Sequence, residues 1–232
     1  MNVKKLLIMF FLVTALISMM TGNVHAATQV FVDQDPPIGD PNIMDTSLQS
    51  GSKFNITVNV ADVADLYSYE FKLNWTGSML NVTNVYPGPF LPSGGSTMFL
   101  PQLNNTAHFV YVVASLFLVP TGVYGSGILA YVEFLVEDYG STDLQLYDPI
   151  LVDSLMQSIS HSSASGYFRN KYPGDVNGDY LVGVADFSTL AGAYGSSSGQ
   201  PAYDREADFN LDGLVGVADF STLAGNYGKT FP

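Results

Sequence analysis

Residues 53–75 read KFNITVNVADVADLYSYEFKLNW. Phe54, Ile56, Val58 and Val60 alternate with Lys53, Asn55, Thr57 and Asn59. Further on, Tyr67, Tyr69, Phe71, Leu73 and Trp75 alternate with Ser68, Glu70, Lys72 and Asn74. Successive side chains of a strand point to opposite faces, so a period of two marks strands with one buried face. The alternation recurs at 107–113, 128–136 and 144–146. Turn signals separate the runs: Asp35-Pro36-Pro37, Pro87-Gly88-Pro89, Pro92-Ser93-Gly94-Gly95 and Tyr139-Gly140. Many short strands without a helical period predict an all-β, two-sheet sandwich over residues 27–168.

The rest of the composition narrows the function classes. The chain has 232 residues and no cysteine, which excludes disulfides, thiolate metal sites and a cysteine nucleophile. Asp and Glu number 21 against 8 Lys and Arg, a net charge of −13, so a nucleic-acid partner is not expected. Residues 1–26 read as a secretory signal peptide, with basic Lys4 and Lys5, an apolar run from Leu6 to Met20, and Val24-His25-Ala26 at the cleavage site. The predicted location is secreted and extracellular, with attachment to a cell surface only through a partner.

Beyond residue 174 the pattern becomes a tandem repeat. Residues 175–195 align with 208–228 at an offset of 33, and only the pairs 176/209, 178/211, 180/213 and 193/226 differ. Two copies of one structural unit follow from such identity. Residues 169–174 are expected to be a linker, and 175–232 a small separate domain.

Counting from the first Asp of each repeat, side-chain oxygens fall at positions 1, 3, 5 and 12. These are Asp175, Asn177, Asp179 and Asp186 in the first copy, and Asp208, Asn210, Asp212 and Asp219 in the second. This is the spacing of an EF-hand-type calcium loop, in which position 7 adds a backbone carbonyl, here from Leu181 and Leu214. Calcium is a hard cation that takes six to eight oxygens, and a tight loop aims alternate side chains inward. Two Ca²⁺ sites are therefore expected. Position 6 is Gly213 in the second loop but Tyr180 in the first, so backbone strain predicts a weaker first site. After each loop, Val184, Phe187, Leu190, Ala191 and Tyr194, and likewise Val217, Phe220, Leu223, Ala224 and Tyr227, recur at helical spacing, with Gly195 and Gly228 suited to end each helix.

The strings GDVNGDYLVGVADFSTLAGAYG and ADFNLDGLVGVADFSTLAGNYG resemble the duplicated repeat of a type I-like dockerin domain. That resemblance implies a small all-α calcium module whose positions 10, 11, 17 and 18 contact a cohesin. Those positions are Val184, Ala185, Ala191 and Gly192, then Val217, Ala218, Ala224 and Gly225. The copies agree at every one, which implies two equivalent faces related by a twofold rotation. Upstream, YEFKLNWTGSMLNVTNVYPGPFL and GSGILAYVEFLVEDYGSTDLQLYD are similar to a cohesin domain, the receptor of dockerins, and imply a jelly-roll sandwich. Trp75 and Thr76 depart from the usual Tyr-acid pair of that family. The resemblance implies a non-catalytic adaptor, as in cellulosome-type scaffolds. It would bind a cohesin-bearing protein through its C-terminal domain and a dockerin-bearing protein through its N-terminal domain, with head-to-tail self-association open to it. The alternative is a carbohydrate-binding module carried on a dockerin, with polysaccharide as partner and Tyr86 or Tyr124 as contact residues.

No enzyme is expected. His108 and His161 stand without a legible Ser-His-Asp arrangement, and Glu70 and Glu133 read as polar strand faces rather than a glycosidase pair. Asn55, Asn74, Asn81 and Asn104 head N-x-S/T sequons, candidate glycosylation positions.

Overall fold

The computed structural model describes residues 27–35 and 40–231; the expected signal peptide lies outside them. The order of strands is β1 (Gln29–Asp35), β2 (Asn42–Met44), β3 (Lys53–Asn74), β4 (Leu80–Pro87), β5 (Thr97–Asn104), β6 (Phe109–Leu116), β7 (Val123–Val136), β8 (Ser141–Asp153), β9 (Ser162–Ala164) and β10 (Gly166–Arg169). Two helices close the chain, α1 (Val184–Ala193) and α2 (Val217–Asn226).

The two alternating runs of the opening stretch are not separate short strands. They form the single strand β3 of 22 residues, which serves both sheets. Its first half pairs with β1 and β7, and its second half with β6 and β8. Hydrogen-bonded neighbours extend these to β4-β7-β3-β1-β9 on one side and β5-β6-β3-β8-β10-β2 on the other. The crossing comes at residues 61–66, where the pairing with β7 shifts register and Asp62 and Asp65 take positive φ values of 51° and 60°. Such bulges bend a strand without ending it. Val63 and Leu66 stay in the core through the bend. The Asp65 carboxylate braces it, accepting hydrogen bonds from Ser154 Oγ at 2.6 Å and from Gly122 N at 2.6 Å. Those bonds hold its pKa below the usual carboxylate value.

The halves then face each other across one core. Phe134 of β7 lies edge-on to Trp75 at 5.3 Å and stacks on Phe54 at 5.5 Å. Tyr69 donates its buried hydroxyl to Leu129 O at 2.6 Å, and Trp75 Nε1 donates to Leu80 O at 2.8 Å, so neither polar tip is left unpaired. His108 lies in the β5–β6 turn rather than in a strand, with φ 51°, which the alternation at 107–113 did not reveal.

The repeats form a second, smaller core of Val176, Val182, Leu190, Ala193, Ala207, Val215 and Leu223. A pseudo-twofold relation is written into its hydrogen bonds. Val182 N donates to Lys229 O and Gly228 N to Val182 O, while Val215 N donates to Ser196 O and Gly195 N to Val215 O. Each loop thus pairs with the segment that leaves the other copy's helix.

Phe134→Ala is expected to destabilise the protein by about 3–5 kcal/mol in urea unfolding, because it empties the contact between the two sheets. Met98→Ala, on an exposed side chain, is expected to stay within about 0.5 kcal/mol.

Candidate functional site

Each loop of the repeats gathers oxygen around a buried first and twelfth residue. Asp175 and Asp186 are 1% and 0% exposed, and Asp208 and Asp219 are 0% and 1% exposed. In the first loop Asp175 Oδ1 accepts from the backbone N–H of Gly178 and Asp179, and Oδ2 from that of Tyr180. Asp186 Oδ1 accepts from Val176 N and Asn177 N, and Oδ2 from Gly183 N at the start of α1. Asp219 repeats this with Phe209 N and Gly216 N. A carboxylate at the first turn of a helix also sits at the positive end of its dipole. Asn177 and Asp179 stay exposed and bond to each other, as do Asn210 and Asp212. Leu181 and Leu214 occupy the seventh positions, and the backbone N–H of each donates to the fifth-position Asp.

Ligand oxygens of Asp175, Asp179 and Asp186 lie within 4.8 Å of one another. Asp208 Oδ1 is buried without a hydrogen-bond partner, while Oδ2 accepts from Tyr203 and Gly213 N. A buried carboxylate oxygen without a donor is costly unless a cation or other donor meets it. This donor set, oxygen only, suits a hard cation such as Ca²⁺.

The expectation of a weaker first loop does not follow from the backbone. Tyr180 does take a left-handed φ of 68°, but Leu211, two positions before Gly213, takes 54°. The first loop has Gly178 where the second has Leu211. Each loop therefore carries one glycine and one strained non-glycine residue, exchanged between positions 4 and 6.

The apolar positions of the helices divide into two sets. Leu190, Ala193 and Leu223 are buried, whereas Val184 is 72% and Val217 69% exposed. Phe187, Phe220, Tyr194 and Tyr227 are exposed beside them, together with Ala185, Ala191, Gly192, Ala218, Ala224 and Gly225. Phe187 and Phe220 meet edge-on at 6.4 Å, and a pocket of about 360 Å³ opens between Phe187, Leu190, Ala191, Tyr194 and Phe220. All eight positions implied as contacts by the repeat resemblance lie on the outside of the helix pair.

The segment 169–174 is not a free linker. Arg169 ends β10 and is buried, and Asn170 is wholly buried, with its side chain bonded to Leu48 O, Asp138 O and Gly140 N. The Arg169 guanidinium donates to Phe209 O at 3.0 Å and reaches the carbonyls of Arg205, Glu206 and Asp208. Glu206 answers from the other module: it accepts from Ser141 Oγ and Tyr167 OH at 2.6 Å each and pairs with Lys171 Nζ at 2.5 Å. Burial pushes the Glu206 carboxyl up, but Lys171 and these hydroxyls outweigh it and hold the pKa below its usual value. Arg205 lies over the Tyr167 ring at 3.7 Å and pairs with Asp143 at 2.6 Å. The repeats are docked through their loops, with the helix face left outward. Sequence periodicity carries no sign of this, because Arg169, Lys171 and Glu206 belong to no motif.

A second exposed face lies on the sandwich, also unmarked by any motif. The register of β5, β6, β3 and β8 sets Met98, Leu100, Val113, Tyr111, Glu70, Lys72, Tyr147 and Ile150 on one outer surface. Leu100, Met98, Tyr147 and Ile150 are 42–52% exposed. Tyr111 donates to Glu70 Oε2 at 2.9 Å, and Lys72 Nζ lies 4.4 Å above the Phe109 ring. A sequence signal was present: β6 reads FVYVVASL, apolar on both faces.

The residues considered for catalysis are structurally engaged. Glu133 pairs with Lys53 at 2.8 Å on the opposite sheet from Glu70, and both ring nitrogens of His161 lie against backbone carbonyls. Trp75 is 3% exposed and offers no sugar platform, while Tyr86 and Tyr124 are exposed. Of the sequon residues, Asn55 and Asn104 are exposed; Asn81 donates to Glu137, and Asn74 keeps Oδ1 buried.

A family model, the cohesin domain, matches residues 42–166. Among solved structures, the sixth cohesin of scaffoldin B from Acetivibrio cellulolyticus, in complex with a dockerin, is similar with a TM-score of 0.50 and 12% identity over 63% of this chain and 100% of that one. A type I cohesin–dockerin complex from Clostridium thermocellum gives 0.50 and 12% over 62% and 99%. A non-cellulosomal cohesin from the archaeon Archaeoglobus fulgidus gives 0.49 and 21% over 62% and 91%. At these identities the likeness concerns the fold of the sandwich. No curated protein sequence matches the chain.

Arg169→Ala leaves the carbonyls of Arg205, Glu206, Asp208 and Phe209 without this donor. It is expected to cost about 2–3 kcal/mol and to split urea unfolding into two transitions, read by Trp75 fluorescence and by helix circular dichroism.

Proposed function

The chain belongs to the cohesin family, and on that premise we propose that it is a non-catalytic adaptor with two binding ends. The sandwich receives a dockerin-bearing protein on the outer face of β5, β6, β3 and β8. The duplicated repeats, acting as a dockerin, bind a cohesin-bearing protein through the exposed face of α1 and α2. The observation that carries this reading is the exposure of Val184, Phe187, Val217 and Phe220 on helices whose other side is already packed. An exposed apolar patch on a small module marks an interaction surface.

On this reading calcium is part of the folding energy of the repeats, bound by Asp175, Asn177, Asp179, Leu181 and Asp186 and by Asp208, Asn210, Asp212, Leu214 and Asp219. The fit rests on the convergent carboxylates of the first loop and the unpartnered Asp208 Oδ1 of the second. The location proposed is extracellular; among the described residues no helix is long and apolar enough to cross a membrane. Because the repeats are anchored by their loops, the helix face cannot turn onto the chain's own sandwich without breaking the Arg169 and Glu206 contacts. Any head-to-tail association therefore joins separate copies.

The test is titration calorimetry of the full chain with an isolated scaffoldin cohesin, in calcium and in chelator. Binding is expected in calcium and none in chelator. Val184→Asp with Val217→Asp together is expected to weaken it at least tenfold, since each charge would be buried in an apolar contact. Equal binding with chelator, or by the double variant, would overturn the reading.

A further inference from the structure

Tyr139 lies in the turn between β7 and β8 and belongs to the sandwich, yet three of its contacts are made with the repeat module and its approach. Its hydroxyl donates to Asp175 Oδ2 at 3.0 Å and accepts from Tyr172 N at 2.5 Å. Its ring stacks on Tyr180 at 4.3 Å and 21°. Asp175 and Tyr180 are positions 1 and 6 of the first loop. In the second loop the corresponding carboxylate oxygen, Asp208 Oδ2, accepts at 2.8 Å from Tyr203, a residue of the segment between the repeats.

We propose that Tyr139 is a positioning residue for the cation loop of the first repeat, so that one loop is completed by the sandwich and its near-identical copy by the repeats themselves. The inference rests on the calcium reading of these loops and concerns residues outside the ligand set. Hydrogen bonds to a ligating carboxylate fix its orientation, and losing such an outer partner typically weakens metal binding about 10- to 100-fold. The stack supplies a second constraint. A non-glycine residue in the left-handed region is strained, and a stacked aromatic pair offsets part of that strain. Leu211, the strained residue of the second loop, forms no ring pair of this kind.

Coupling follows from the geometry. The contacts that shape the first loop also join the modules, so cation binding there tightens the junction, and by linkage the docked sandwich tightens cation binding. In the second loop the sandwich reaches backbone carbonyls, those of Asp208 and Phe209 through Arg169, and no carboxylate of the proposed ligand set. Two repeats that differ at four of 21 positions thereby become inequivalent through their surroundings rather than their sequences.

The experiment uses the full chain and its variants Tyr139→Phe and Tyr203→Phe, each of which removes a hydroxyl and keeps a ring. Calcium is titrated while the amide signals of Gly178, in the first loop, and Gly213, in the second, are followed by NMR. Tyr139→Phe is expected to raise the half-saturating calcium concentration at Gly178 about tenfold and to leave Gly213 within twofold of wild type. Tyr203→Phe is expected to do the reverse. If Tyr139→Phe leaves both loops unchanged, or shifts both equally as a general loss of stability would, the positioning role is wrong while the calcium reading stands. No calcium response at either loop of the wild type would overturn the calcium reading itself.

Discussion

Three carboxylates whose oxygens lie within 4.8 Å of one another repel strongly. At an effective dielectric constant of about 20, each pair of unit charges at that spacing is unfavourable by ~3 kcal/mol. The first loop holds Asp175, Asp179 and Asp186 in this arrangement and spends nearly every nearby backbone N–H on them. A cation bound among them, as proposed, would relieve the repulsion. Asp186 and Asp219 tie each loop to the first turn of its helix. Val182 and Val215 tie each loop to the exit of the other copy's helix. The helix pair can then present its apolar side to solvent, because a core of only seven buried side chains is held in place at the loops.

Docking onto the sandwich gives this module a fixed orientation. Arg169 at the end of β10 reaches the backbone that leads into the second loop, Glu206 gathers Ser141, Tyr167 and Lys171, and Tyr139 reaches the first loop. The contacts are polar and specific, with charges that each meet a partner, and they use the loop side of the repeats. The helix face and the outer sheet face are both left free. A junction of this kind holds the two exposed faces at a set separation, whereas a flexible linker would let them sample many.

Much of this was legible in the sequence, for reasons that differ by element. Alternation identified the strands because each has one wet face, and it placed Trp75 in the core correctly. It did not show that residues 54–60 and 67–74 are one strand, since a bulge at Asp62 and Asp65 leaves no turn signature. The spacing of oxygens marked both loops, because the carboxylates fold back onto backbone N–H groups of their own loop. Helical periodicity found α1 and α2 but merged the buried Leu190 with the exposed Val184 and Phe187, since a small core uses only part of an apolar stripe. The docking of the modules was invisible: Arg169, Glu206 and Tyr139 are single residues brought together from positions up to 67 apart in the chain. The outer sheet face left only a partial signal, the doubly apolar run of β6. Its residues come from four strands whose register no sequence pattern states.

On the proposed reading the acidic loops hold calcium, and calcium holds the helix face in shape. Circular dichroism and calorimetry on the full chain, titrated with calcium from a chelated start, test it most directly. Two calcium ions are expected to bind per chain, with helical signal that is lost in chelator and restored on titration while the β signal persists. Helices unchanged in chelator, together with no heat of calcium binding, would contradict it.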